Sequence, residues 1–406
     1  MIERLYRRWM VMLCLMGPGF LAAMADNDAG GIAMYMQAGA EYGYAVLGVV
    51  SLSIICLVIC QDMAARIGLA SGQGLAALIR QEYGLVSSML VMVILLVANL
   101  ATTVTEFIGI AIAGSLLGIA DWLSVLLAGI MLCVMALWCC YRRIERILLV
   151  LCLSFVAYLI GGYEAMPTLV AVQAHCNLAE LWKVPFWLMT IGVIGTTVTP
   201  WGQFYLQSSV VDKGLDYESY RYIKADVWIG SCLTGLIALA IVCIGTAAFF
   251  EQGKEYISLT QSVDALTRLF GMWAGLLFGM GLLGASLLAA FIVPLSTAYA
   301  ICESFGMEYG LDHSWREAPV FFAVYVGVIV IGMIGAIAID IAPLRLIIAT
   351  QVANGILLLP ILACAVMLSQ KERVMGRYTS GVWQNRLAIA VLWILTIAQV
   401  TMLVTI

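Results

Sequence analysis

The stretch Gly17-Pro18-Gly19-Phe20-Leu21-Ala22-Ala23-Met24-Ala25-Asp26-Asn27-Asp28-Ala29-Gly30-Gly31 decides the fold. Two carboxylates and an amide stand halfway along an apolar run long enough to cross a hydrocarbon layer as a helix. A carboxylate at the bilayer centre costs about 2.5–3.5 kcal/mol on insertion scales, so it faces a cavity, a pathway or a partner. Gly30 and Gly31 follow, each about 1 kcal/mol worse than Ala inside a helix. The segment reads as a membrane helix broken at its midplane, where unwound backbone carbonyls stand beside the carboxylates as cation ligands.

The rest of the chain supplies the membrane reading. Of its 406 residues, 64% are hydrophobic and 11% charged, and the mean hydropathy is +1.04. A soluble surface draws on roughly 25% charged residues, which excludes that class. Barrel strands alternate polar and apolar over about ten residues, whereas the apolar runs here continue for about twenty. The chain reads as an all-α polytopic membrane protein. Eleven segments are expected near 11–39, 45–65, 88–117, 122–140, 147–167, 186–211, 227–250, 271–301, 318–339, 344–369 and 387–405. The polar stretches between them, the longest near 168–185 and 251–270, are expected to be loops, so residues 1–406 form one transmembrane domain.

Charge sets the orientation. With a cytoplasmic N-terminus, 16 of the 20 basic residues lie inside, and only Lys183, Lys254, Arg268 and Arg345 lie outside. That asymmetry is the positive-inside pattern, and eleven spans then put the C-terminus outside. Arg4, Arg7 and Arg8 before an apolar run ending in Ala23-Met24-Ala25 also look like a signal peptide. Cleavage there would discard the most polar intramembrane segment of the chain, so a first spanning helix is the preferred reading. The net charge of −4 gives no reason to expect a nucleic-acid partner, and a lipid bilayer is the partner expected instead. Of the twelve cysteines only Cys176 sits in a clearly polar loop, so they read as small buried hydrophobes and no disulfide framework is expected.

A second break falls in the sixth segment, Gly192-Val193-Ile194-Gly195-Thr196-Thr197-Val198-Thr199-Pro200-Trp201-Gly202-Gln203. Pro200 removes a donor and leaves a carbonyl one turn earlier unpaired. Alone it would be an ordinary proline kink. Interrupted helices at positions one and six, five spans apart, instead indicate an inverted five-helix repeat with a binding site between the breaks. Helices one to five cover about 11–167, helices six to ten about 186–369, and an extra helix follows near 387–405.

Other polar residues carry two readings each. Glu106, beside Thr102, Thr103 and Thr105, marks either an ion or proton pathway or a hydrogen-bonded structural acid. Gln351 and Asn354 share a helix face and either line the cavity or bridge helices. Gln203 and Gln207, four apart beyond the second break, have the same ambiguity. Asp62 and Arg66, with Gln61 before them, read as a structural lock or gate, while Glu145 and Arg146 are expected to be solvated. No Walker loop, HExxH motif or spaced Cys/His ligand set is present, so neither an enzyme nor a cofactor is expected. The two histidines, His175 and His313, fall in loops.

These residues resemble the NRAMP family of divalent-metal transporters. Gly17-Pro18-Gly19-Phe20 matches the GPGF opening of its members, and Asp28-Ala29-Gly30-Gly31 stands where they carry DPGN, followed by Gln37-Ala38-Gly39. Gln61-Asp62-Met63-Ala64-Ala65-Arg66-Ile67-Gly68 is similar to Q-x-x-A-A-R-x-G. Ala101-Thr102-Thr103-Val104-Thr105-Glu106-Phe107-Ile108-Gly109 is similar to A-T-D-x-A-E-x-x-G, and Thr350-Gln351-Val352 to S-Q-V. The resemblance spans the whole chain and implies a LeuT-like inverted repeat that moves a divalent metal ion by alternating access through a cell membrane.

The departures refine that expectation. The family's sixth helix carries A/M-P-H, whose methionine sulfur is a soft ligand; here Thr199-Pro200-Trp201 offers a hydroxyl. Sulfur selects soft transition metals, whereas carboxylate, carbonyl, amide and water suit Mg2+ and Mn2+. Gly31 replaces the DPGN asparagine and makes room, which suits an Mg2+ that keeps several waters. The pattern resembles the magnesium-transporting branch of the family. The expected metal ligands are Asp28 foremost, then Asp26, Asn27, Thr199, Gln351 and Gly202, with Gly31, Trp201 and Gln203 shaping the cavity. Glu106, Gln207, Asp62 and Arg66 are candidates for a pathway or gate. Thr103, Trp201, Gln203 and Gln207 fill the places of the family's proton-transfer groups and do not titrate usefully, so import without proton coupling is expected, by a monomer. The alternatives are a proton-coupled Mn2+/Fe2+ importer, and an amino-acid symporter on the same fold, whose carboxylate Asp26 and Asp28 would repel.

Overall fold

The computed structural model describes residues 17–168, 172, 184–256, 258–338 and 343–405. Arg4, Arg7, Arg8, the start of the first expected segment, His175, Cys176 and Lys183 lie outside them, as does most of the expected loop 168–185. All regular elements among the described residues are helical.

The first segment is two half-helices, α1 (Pro18–Ala25) and α2 (Ala29–Tyr42), and a 3-10 turn joins α2 to α3 (Leu47–Ser71). Then come α4 (Leu75–Leu116), α5 (Asp121–Trp138), α6 (Tyr141–Leu151) and α7 (Val156–Glu164). The sixth segment is again split, into α8 (Val184–Thr197) and α9 (Pro200–Asp212). The chain continues through α10 (Tyr220–Gly245), α11 (Leu259–Phe270), α12 (Met272–Phe305), α13 (Pro319–Ala338), α14 (Pro343–Ser369) and α15 (Val382–Thr405).

Among the described residues, nine helices are long and apolar enough to cross a membrane, one of them running from Ala29 through Ser71. At 14 and 13 residues, α8 and α9 are each too short to cross alone. The count of eleven spans thus stays a reading of the sequence.

Two expectations need correction. The stretch 251–270 is not all loop: Ser258 caps α11 by accepting from the Gln261 amide at 3.3 Å. The third segment runs from 85, close to the expected 88, because α4 is broken at Gly84, whose φ of 84° and extended ψ separate a short leading helix that starts at Leu75. Glu145 is not solvated: it pairs with Lys213 at 2.7 Å, and both side chains are 13% exposed. Arg146 is exposed as expected.

The broken helices sit at the centre of the bundle. Half-helix α1 packs on α10, α2 on both α10 and α8, α8 on α14, and α9 on α3 and α12, with α4 lying along α12. Glycines permit the closest crossings. At Gly195 a Cβ would strike the backbone of Gln351 and Gly355, and at Gly230 it would lie 2.8 Å from Phe20 Cα. The outward faces carry the large exposed apolar side chains, such as Val86, Ile130 and Ile334, that lipid would cover.

Candidate metal site between two broken helices

Both breaks are built alike. α1 stops at Ala25, and Asp28 restarts the helix as the N-cap of α2, its Oδ1 accepting from the Gly31 amide at 2.5 Å. α8 stops at Thr197, and Thr199 restarts it as the N-cap of α9, its Oγ1 accepting from the Gly202 amide at 3.1 Å. Such caps are worth about 1 kcal/mol each and compensate the lost helix turn. Pro200 at the first position of α9 has no amide to leave unpaired. A half-helix therefore ends and another begins at each break. The C-terminal ends of α1 and α8 bring partial negative charge, while the caps shield the positive ends of α2 and α9.

Cross-links hold the breaks together. Thr199 Oγ1 donates to Asp26 Oδ1 at 2.7 Å, and Gln61 Nε2 donates to Asp26 Oδ2 at 3.3 Å. Glu106 Oε2 accepts from the Ala29 amide at 3.0 Å, so this acid of α4 satisfies the first turn of α2. Gln351 Nε2 lies 3.5 Å from Asp28 Oδ1, and Asn354 Nδ2 donates to Gln351 Oε1 at 3.3 Å. Tyr35 Oη and Thr197 Oγ1 are 2.8 Å apart across the same region.

What is left over points to a cation. Asp28 Oδ2, Asn27 Oδ1, Glu106 Oε1, Asn354 Oδ1 and Thr196 Oγ1 are buried acceptors without a hydrogen-bond partner. A buried orphan acceptor costs about 1–3 kcal/mol, so several together call for a ligand or water. Three oxygens close on Gly31, where a Cβ would lie 2.8 Å from Thr196 Oγ1, 2.9 Å from the Asp26 carbonyl and 3.3 Å from Asp28 Oδ1. At Gly202 it would lie 2.7 Å from Thr199 Oγ1 and 3.3 Å from Asp26 Oδ1. Among the described residues no three His, Cys, Asp or Glu side chains form a metal cluster, so the donors are a mixed oxygen set. Such a set suits a hard cation.

The structure brings Asp26, Asn27, Asp28, Thr199, Gly31, Gly202, Glu106 and Gln351 into this neighbourhood. Trp201 and Gln203 are buried on α9, and the Trp201 Nε1 and both Gln203 amide atoms have no partner. Three candidates bond elsewhere. Gln207 Nε2 donates to the Gln73 carbonyl at 2.9 Å, Asp62 Oδ1 accepts from Tyr220 Oη at 2.9 Å, and Arg66 Nη2 donates to Ser380 Oγ at 2.6 Å. Asp62 and Arg66 thus bond to different partners, and no close ion pair joins them among the described residues.

Sequence reasoning missed Thr196, Asp226 and Thr234. Asp226, just outside the expected seventh segment, is fully buried in α10 and accepts from the Gly17 and Gly19 amides at 3.1 and 2.8 Å. Thr234 Oγ1 donates to the Ala23 carbonyl at 2.6 Å, and its own carbonyl accepts from Asn27 Nδ2 at 3.3 Å. The spacing Asp226, Gly230, Thr234 is the signal that would have found this face.

Comparison with known proteins agrees with this architecture. The manganese transporter of Eremococcus coleocola, solved with an aromatic bis-isothiourea substituted compound, superposes with a TM-score of 0.76 at 19% identity, over 96% of this chain and 86% of that one. MhsT in complex with L-phenylalanine gives a TM-score of 0.66 at 15% identity, over 95% and 98%. At these identities the likeness carries the fold alone. A LeuT-like helical bundle with two broken helices defines the class, a multi-pass membrane protein. The family model described as natural resistance-associated macrophage protein-like matches residues 19–405, and this chain belongs to the Nramp family. The divalent metal cation transporter MntH of Erwinia tasmaniensis is 32% identical over 286 residues, 68% of this chain and 69% of that protein.

Proposed function

We propose that this protein imports divalent metal ions, with partly hydrated Mg2+ as its principal substrate and Mn2+ as a second, by alternating access and without proton coupling. The observation that carries the reading is the oxygen-rich neighbourhood of Asp28, with no sulfur or imidazole among the described groups that bond to it. Its Oδ2 has no hydrogen-bond partner, and Thr196 Oγ1, the Asp26 carbonyl and Asp28 Oδ1 converge on Gly31. The family's methionine position holds Thr199, whose hydroxyl binds Asp26 and caps α9. Asp28 is then the principal ligand, and Asn27 contributes its free amide oxygen. Gln351, whose Nε2 faces Asp28 Oδ1 while its Oε1 accepts from Asn354, orients that carboxylate, and Thr199 ties Asp26 to α9. Asp26 couples the two breaks, and Gly31, Gly202, Trp201 and Gln203 shape the space. Mg2+ suits such a site because it dehydrates reluctantly and touches one or two carboxylates. The protein works as a monomer in the cell membrane, with a cytoplasmic N-terminus and its C-terminus outside.

The second reading is a proton-coupled Mn2+ or Fe2+ importer. The free Glu106 Oε1, on the carboxylate that holds the Ala29 amide of α2, favours it. Uptake into liposomes with Mg2+, Mn2+ and Cd2+ separates the substrates, since Mn2+ alone is hard enough for either site. Mg2+ and Mn2+ should enter and Cd2+ should not, and Asp28→Ala should abolish entry. Strong Cd2+ uptake without Mg2+ uptake would reject the Mg2+ reading.

A further inference from the structure

A cavity of about 120 Å3 opens between α3, α10 and α15, away from the broken helices. Its charged end holds Arg66, 2% exposed and bonded to Ser380, and Lys224. Neither cation is in an ion pair among the described residues. Asp62, the one carboxylate lining the cavity, accepts the Tyr220 hydroxyl. Two cations therefore face one anion, leaving net positive charge. The walls below are apolar, formed by Val58, Ile59 and Leu387.

The cavity mouth has the composition of a membrane boundary. Trp228, which lines it, is 49% exposed with Lys224 Nζ 5.8 Å from its ring centroid. Trp383, next in sequence to the lining residue Gln384, is 74% exposed with Arg386 at 5.2 Å. Exposed Trp with Lys or Arg stacked on it marks the headgroup level, where the apolar body sits in lipid and the charge in water. Arg66, Lys224 and Arg386 also belong to the basic residues that charge asymmetry assigns to the cytoplasmic side. Basic residues there attract the anionic lipids of that leaflet. A positive head over an apolar wall, open to the bilayer, complements one class of molecule.

We propose that this cavity binds one anionic phospholipid, its phosphate between Lys224 and Arg66 and its chains along α3 and α15. The inference does not depend on which ion is transported. α15 lies outside the two five-helix halves, so the lipid fastens this added helix to α3 and α10.

The test is native mass spectrometry of the full chain, delipidated and reloaded with phosphatidylglycerol or phosphatidylcholine, with melting temperatures measured on the same samples. The wild-type chain should retain one phosphatidylglycerol, hold no phosphatidylcholine, and melt higher when loaded. Lys224→Ala should lower that affinity about fivefold, the scale of one basic residue at an anionic surface. Leu387→Trp, which fills the apolar wall, should abolish retention while leaving the lipid-free melting temperature close to wild type. Equal retention in all three chains, or equal retention of phosphatidylcholine, would overturn the proposal. So would inorganic phosphate that displaces the lipid and reproduces its stabilisation, since that result assigns the cations to a free anion.

Discussion

A methyl group at Gly30 would fall on the Gln351 amide nitrogen and lie 3.1 Å from Asp28 Oδ1. That single contact separates two effects. Alanine in a helix interior gains about 1 kcal/mol over glycine, so Gly30→Ala should leave folding nearly unchanged. Gln351 must move, and the arrangement that orients Asp28 goes with it. The expected outcome is a KM for Mg2+ raised by about tenfold, equivalent to about 1.4 kcal/mol of ion binding, with the melting temperature within a few degrees of wild type. An unchanged KM would remove Gln351 from the site. The carboxylates at this scale were legible because each is expensive in a membrane and stands out among apolar neighbours. Thr196 was not. A threonine in a membrane helix bonds back to a carbonyl one turn earlier, as Thr197 does to Val193 at 2.6 Å, and so announces nothing. Only the fold reveals that its neighbour's hydroxyl is left without a partner.

At the scale of the element, the eight residues of α1 are too few to hold a helix alone. Asp226, Gly230 and Thr234 lie four apart on α10 and grip α1 at its start, middle and end. The carboxylate takes the amides of Gly17 and Gly19, Gly230 admits the backbone at Phe20, and Thr234 takes the Ala23 carbonyl. Gly17 adopts a φ of 147° to present its amide, and a Cβ there would collide with Glu145. Asp226→Ala leaves two buried amides unpaired at about 1–3 kcal/mol each, so the protein should melt several degrees lower and transport more slowly. Asp226→Asn keeps one acceptor oxygen and should recover part of both losses. Wild-type melting in the alanine variant would show that α1 is held by packing alone. The pairing of breaks one and six was legible from glycine, proline and carboxylate placement. The grip on α1 was not, because Asp226 reads as a charge at a segment edge until α10 is seen to begin at Tyr220.

Across the whole molecule, charge placement decides how transport is driven. On the proposed reading, keeping most basic residues on one side orients the chain, and an inside-negative potential then pulls on the ion as it crosses. For a divalent cation this amounts to about 4.6 kcal/mol per 100 mV, or about two-thousandfold accumulation without a co-transported proton. Among the described residues Glu106 is the third carboxylate of this neighbourhood, with Asp26 and Asp28, and its visible task is to hold the Ala29 amide. A glutamine in its place keeps a carbonyl oxygen for that amide while removing the charge, the titration and the second oxygen. In liposomes carrying an internal pH dye and a potassium diffusion potential, initial Mg2+ uptake should rise with inside-negative voltage while internal pH stays constant. Glu106→Gln should retain both the uptake and its voltage dependence. Internal acidification that tracks Mg2+ entry and disappears in Glu106→Gln would instead make this carboxylate the proton carrier and restore the coupled mechanism.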